Sequence, residues 1–291
     1  MAEQIGTFDR MWLSADDATY TAIEFLEGTT LGLNQTLTDT NGIRGTRQHS
    51  AGRVRETQRQ VSGTIQMAPV ASELDLLLPW ILGGNENADA FPLAEAVPAR
   101  FVKTYRDGTK HLYNGLKVNR AVFSAAEGGP LGLALDVVGI DEAVDTDPTE
   151  ADAIDDDAGP YVMSDCVLTV GGQAHQFRSI SIEINNALQV RFNNSVTPSS
   201  ISATDLMVGV NLSLPYGDTA ALYGSAISGV AVVAMFTNGN RSIAFNLAGV
   251  SAPKQPLPLG QRGPRDLTWA GTARRTTGGA PPIAVTNDST G

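Results

Sequence analysis

Two stretches of this chain carry the same local patterns in the same order, and no other feature limits the fold as much. In the first half an alternating run (residues 56–67) reaches Pro69, then a Leu-rich stretch (72–82) ending at Gly83 and Gly84. In the second half residues 206–214 reach Pro215, followed by a helix-like stretch (218–227) ending at Gly229. A hairpin signature follows in each, with Asp107-Gly108 or Asn238-Gly239 at its tip, and each half closes on an alternating strand ending at Gly139 or Gly271. An earlier strand matches Leu31-Gly32-Leu33 to Leu188-Gln189-Val190. Two similar β units in tandem favour a self-assembling structural subunit over an enzyme, because a duplicated unit can occupy successive positions of a ring.

The alternation sets the fold class. Val61, Gly63, Ile65 and Met67 fall on one face of a strand, and Glu56, Gln58, Gln60, Ser62, Thr64 and Gln66 on the other. A period of two means one buried and one wet face. Leu206, Val208, Val210, Leu212 and Leu214 repeat the inward row opposite Asp205, Asn211 and Ser213, and Leu131, Leu133, Leu135 and Val137 alternate with Gly132, Ala134 and Asp136. Asp-Gly and Asn-Gly supply the positive φ of tight hairpin turns. Leu74, Leu77, Leu78 and Ile81 lie at helical spacing, with Pro79 as an interruption or kink, and Asp218 is a candidate N-cap for a second helix. The expected fold is mainly antiparallel β with one short helix per half.

At 291 residues the chain can form two modest domains, each with its own core. The boundaries read as 1–140, an acidic linker at 141–159, 160–275, and a tail at 276–291 that is either a mobile end or an arm for a neighbour. Two insertions lengthen the first half: a Gly- and Arg-rich loop (38–55) and an Ala-, Pro- and acid-rich loop (85–99). No stretch approaches the ~20 apolar residues of a membrane span. The N-terminus lacks the pattern of a secretory signal. Cys166, the single cysteine, excludes an intrachain disulfide and reads as a small buried hydrophobe.

Charge and motifs argue against catalysis and duplex binding. The net charge is −11, and residues 141–157 hold nine acidic residues with no basic one. Phosphate neutralisation along DNA is therefore not expected of the molecule as a whole. His49, His111 and His175 fit no HExxH spacing, and no GxSxG elbow is present. The acidic segment lacks the ligand spacing of a calcium loop and reads as a solvated linker, with interfacial cation binding as the alternative. Arg44, Arg47, Arg53, Arg55 and Arg59 cluster around the first insertion. That cluster is either a solvated loop or a protein contact, since the Arg fork suits carboxylates of a neighbouring subunit. Without aromatic residues it offers no stacking platform for nucleic acid.

Residues 55–84 (RETQRQVSGTIQMAPVASELDLLLPWILGG) and 112–139 (LYNGLKVNRAVFSAAEGGPLGLALDVVG), with SISIEINNAL and MFTNGNRSIAFNL later on, resemble the tail tube proteins of long-tailed bacteriophages. The resemblance covers about residues 20–140 and 160–275 and rests on several segments in order. It implies two tandem β-sandwich domains, each with a flanking helix, sharing strands in a barrel that lines a lumen. It further implies stacked rings through which DNA leaves the capsid, with three two-domain chains giving pseudo-six-fold symmetry; the alternatives are six chains per ring or another ring component of the tail, such as a tube terminator or baseplate-hub ring. No cofactor or metal is implied. The expected partners are further copies of the chain, tape measure, terminator and distal tail proteins, with DNA as passing cargo. Candidate lumen residues are Glu56, Gln58, Gln60, Ser62, Thr64, Gln66, Asp136, Asp205, Asn211, Ser213 and Asp266, with Lys117 and Arg191 offsetting their charge. The Arg-rich loop corresponds to the family's contact with the adjacent ring. A β-sandwich sugar-binding module is the reading from a different class; it would display aromatic side chains, so Trp12, Trp80 and Trp269 discriminate.

Overall fold

A computed structural model of the chain describes residues 9–39, 42–43, 45–106, 108–145, 159–215, 229–254 and 266–290. The protein is mainly β, in antiparallel ladders consistent with a β-sandwich. The first half contains β1 (Arg10–Ser14), β2 (Thr21–Ile23), β3 (Thr30–Asp39), β4 (Val54–Met67), α1 (Ala71–Leu82), β5 (Ala90–Phe91), β6 (Arg100–Arg106), β7 (Thr109–Ala126), β8 (Gly132–Gly139) and β9 (Asp141–Asp145). The second contains β10 (Cys166–Val170), β11 (Gln173–His175), β12 (Ser179–Asn185), β13 (Leu188–Arg191), β14 (Ser200–Ala203), β15 (Met207–Pro215), β16 (Val230–Asn238), β17 (Arg241–Ser251), β18 (Asp266–Ala273) and β19 (Ala284–Asp288). The expected second helix, at residues 218–227, lies outside the described residues.

The ladders repeat. In the first half β1 pairs with β2 and β6, β7 with β6, β8 and β9, and β4 with β3 and β8. In the second, β10 pairs with β11 and β16, β17 with β16, β18 and β19, and β15 with β12 and β18, while β13 and β14 extend the β12–β15 hairpin as a separate ladder. Register confirms the equivalence. Val61, Gly63, Ile65 and Met67 face Gly139, Val137, Leu135 and Leu133; Val208, Val210, Leu212 and Leu214 face Ala273, Gly271, Trp269 and Leu267. The Gly63·Val137 pair in one half is a Val210·Gly271 pair in the other, so the filled volume is conserved while its donor strand switches.

The same registers correct one sequence match. Leu31 and Leu33 face Gly63 and Val61, as Ile182 and Ile184 face Val210 and Val208. Residues 31–33 therefore correspond to 182–184. Leu188 faces Ala203 as Leu37 faces Glu56, which makes β13–β14 the counterpart of the outer end of the β3–β4 hairpin.

The α1 helix forms where the Leu stripe predicts it and continues through Pro79 to Gly83, whose φ of 88° ends it. Glu73 anchors its start, accepting backbone N–H bonds from Val70 (3.1 Å) and Glu24 (2.8 Å). Buried Trp80 donates through Nε1 to the Leu116 carbonyl at 3.0 Å, fixing the helix on β7. Glycine supplies the positive φ at both hairpin tips, Gly108 (φ 78°) and Gly239 (φ 62°), but the second turn is Gly239-Asn240, because Asn238 still belongs to β16 and pairs with Arg241, while Asp107 lies outside the described residues.

Three expectations about organisation change. First, the acidic linker begins as strand: β9 pairs with β7, His111 Nδ1 lies 2.6 Å from Glu142 Oε1, and residues 146–158 lie outside the described residues. Second, the tail is docked on its own chain. Its strand β19 pairs with β17 and with β5 of the first half, and Asn287 donates to the Ala71 carbonyl (2.8 Å) and to Asp75 (2.6 Å) on α1. Third, the halves do not keep separate cores. One cluster of buried residues runs through both, with Phe123 of β7 and Phe245 of β17 packed at 4.7 Å between ring centroids.

Candidate assembly interface

The halves meet strand to strand. The C-terminal part of β7 pairs with β12 from Ala126↔Ser179 to Arg120↔Asn185. This seam makes β3, β4, β8, β7, β12, β15 and β18 successive strands of one antiparallel sheet. One face of that sheet is the core. The other carries Gln60, Ser62, Thr64 and Gln66 on β4, Asp136 on β8, Arg120 and Ser124 on β7, Ser181 and Glu183 on β12, and Asn211 and Ser213 on β15, all half-buried or exposed.

The polar row expected on β4 is thus present from Gln60 to Gln66, and it is bonded sideways. Asn34 donates to Ser62 (2.7 Å) and Thr64 donates to Asp136 (2.7 Å). Asn211 and Ser213 share this face, as does Asp266, whose carboxylate lies 3.3 Å from Arg178. Gln58 sits at the bulged outer end of the strand, exposed. Two expected residues leave the row. Glu56 lies past the bulge, where the register against β3 shifts at Thr36/Leu37, and its carboxylate is 3.8 Å from Arg59. Asp205 precedes β15 in the short connection from β14, is exposed, and accepts the Leu206 N–H at 2.8 Å. Lys117 and Arg191 do not face these acids: Lys117 Nζ donates to the Ile201 carbonyl (2.9 Å), and Arg191 to Gln189 (3.3 Å).

The charge that matters on this face was not anticipated. Arg120 forks onto Glu183 across the seam through Nε (2.7 Å) and Nη2 (3.0 Å), and its Nη1 lies 3.5 Å from Asp136. Bonding to Glu183 raises the Arg120 pKa, and bonding to Arg120 lowers that of Glu183. The signal available in the sequence was a Glu inside the Ile-rich SISIEIN run and an Arg at an outward position of β7. Only the seam brings them together.

The Arg-rich cluster is split. Arg55 and Arg59 belong to β4, Arg53 to a 3₁₀ turn (Ala51–Arg53), and Arg47 to the loop, while Arg44 lies outside the described residues. Arg59 is not a loop residue at all; it pairs with Asp141 at 3.0 Å and ties β4 to the start of β9.

No group of His, Cys, Asp and Glu able to hold a metal ion occurs among the described residues, and burial pushes the Cys166 thiol up to about 12. No helix among them is long and apolar enough to cross a membrane. All three tryptophans are buried, at 1%, 0% and 2% exposure for Trp12, Trp80 and Trp269, so none is displayed for sugar stacking.

These features define a class: a duplicated, mainly antiparallel β protein with a continuous sheet and one polar face. The phage tail tube protein family matches residues 7–288, nearly the whole chain, and the protein belongs to that family. No curated protein matches the sequence. The family makes it a structural component of the phage tail.

Proposed function

We propose that this chain is the major tail tube subunit and that three copies close a ring of pseudo-six-fold symmetry, rings stacking into the conduit for DNA. The observation that carries this reading is the seam. β7 of the first half and β12 of the second join two equivalent units edge to edge within one chain. The counterpart of β12 in the first half is β3, whose only ladder among the described residues is with β4. Its outer edge would extend the second half of a neighbouring copy, beside β18 and the end of β17. Repeating the step around a ring closes the sheet into a barrel and leaves no open strand edge.

In such a ring the sheet's polar face lines the lumen. Its short hydroxyl and amide side chains and paired charges give phosphates little to bind, which suits passing DNA. The first half as one tube unit (1–140) and the second (160–275, with β19 added) would each take one of six positions. Residues 38–55 would reach the adjacent ring. Tape measure, terminator and distal tail proteins would be the other partners, with assembly in the host cytoplasm, and the role needs no catalysis.

The test is assembly of purified protein at rising concentration, followed by sedimentation and electron microscopy. Rings or tubes with a central channel are expected. Monomers at every concentration, in the presence of tail initiator extract, would contradict the reading.

A further inference from the structure

The two halves expose the same hairpin to different degrees. Ile201 of β14 and Val54 of β4 occupy equivalent positions, because Ser200–Ala203 and Val54–Glu56 both form the outer part of the strand leading into the sheet. Ile201 is 7% exposed and Val54 44%. The difference has a visible cause. The β13–β14 hairpin lies on the first half: Lys117 donates to the Ile201 carbonyl, the Leu188 N–H donates to Asn119 Oδ1 at 2.8 Å, and the Arg59 N–H donates to the Val196 carbonyl at 2.8 Å. The β3–β4 hairpin leaves Leu37, Ile43 and Val54 exposed among the described residues.

An equivalent seat exists on the second half. Arg59 and Gln60 correspond by register to Leu206 and Met207, and there the surface opens into a groove of about 780 Å³. Met207, 55% exposed, sits in it with Leu206, Thr272 and Ala273; Glu95, Asp205, Arg274 and Arg275 supply charges of both signs. We infer that this groove receives the β3–β4 hairpin of a second copy, as the first half receives β13–β14 within the chain. Burial of exposed Leu37 and Val54 against Leu206 and Met207 drives the docking. The first-half hairpin has the longer loop, 40–53 against 192–199, so its Arg-bearing tip projects past the groove. The inference rests on the ring reading and adds to it: the hairpin clasps the neighbour within a ring.

Crosslinking tests this. Leu37 is the counterpart of Leu188. Ser251 faces Thr272 as Lys117 faces Val138, so Pro253 takes the place of Asn119. Both positions are exposed. A Leu37→Cys/Pro253→Cys double variant in a Cys166→Ala background is assembled and treated with a short bis-maleimide. A covalent ladder that stops at three chains is the expected result. Tubes seen by microscopy with no crosslink, or with a ladder that runs on without closing, would overturn the groove assignment within a ring while leaving the tube reading intact, whereas a ladder closing at six would keep the groove and overturn the three-chain ring. Absence of rings and tubes in the parent protein would overturn both. A Val54→Asp variant, folded by circular dichroism, should lose assembly; unimpaired assembly would also count against the groove.

Discussion

A side chain at Gly63 has nowhere to go. Its Cβ would lie 2.0 Å from the Thr30 carbonyl oxygen and 2.7 Å from Leu31 Cα, both backbone atoms of β3. Gly63→Ala should therefore spread the β3–β4 ladder and cost about 1–3 kcal/mol, read as a lower denaturant midpoint; an unchanged midpoint would mean that β3 yields freely. The Arg120–Glu183 pair makes a pH-dependent statement. Glu183 is held below its usual value in the fold, so the pair's contribution is complete above the ordinary carboxylate range and is lost as pH falls through the folded value. Both side chains keep substantial exposure, 41% and 32%, which limits the pair to about 1 kcal/mol. Glu183→Gln should lower the melting temperature by about 2–4 °C at neutral pH and converge with the parent once the pH falls below the lowered Glu183 value. A gap of the same size at both pH values would argue for lost packing instead. The polar row of β4 was legible from alternation as far as Gln60, because nothing interrupts the period there. Glu56 was misplaced because a bulge costs one residue of register and leaves no mark in composition. Arg120 and Glu183 were missed because their partnership crosses the seam.

The elements that could be read in advance are those whose own sequence fixes them. Helix α1 carries its Leu stripe and its terminal Gly; β8 and β15 carry clean alternation; the two long hairpins carry Gly at their tips. Strands β9 and β19 were read as linker and tail because each is only five residues of mixed polar character, and long-range ladders decide their state. Asn287 shows how strongly β19 is held: it is 1% exposed and bonds α1 at two points. Asn287→Ala should cost about 1–3 kcal/mol through the unpaired groups left on α1, measurable by chemical denaturation; a neutral result would show that β19 docks through β17 alone. In the proposed tube the loop between β3 and β4 serves assembly and not folding. Deleting residues 42–52 should leave the circular dichroism spectrum and melting temperature close to those of the parent and stop tube growth, since none of the described residues of that stretch is buried. Tubes of normal length from that variant would remove the loop from the contact between rings.

At the scale of the whole molecule, duplication has been followed by divergence. The shared core, the β19–β5 ladder and the Arg120 fork bind the halves into one unit. Glu183 corresponds to Gly32, since they face Gly209 and Ser62; Asp136 corresponds to Ala270, since they face Thr64 and Asn211. The charged cluster therefore occurs once per chain, and a lumen built from such chains would carry it at every second position. Sequence patterns exposed the repeat itself but not this asymmetry, which depends on which strands meet. The most direct measurement is electron cryomicroscopy of assembled protein with symmetry counted in end-on averages. Three chains around a channel, each contributing two non-identical units at six-fold spacing, is the expected result; rings of six chains, or an odd number of units, would contradict the role given to the duplication.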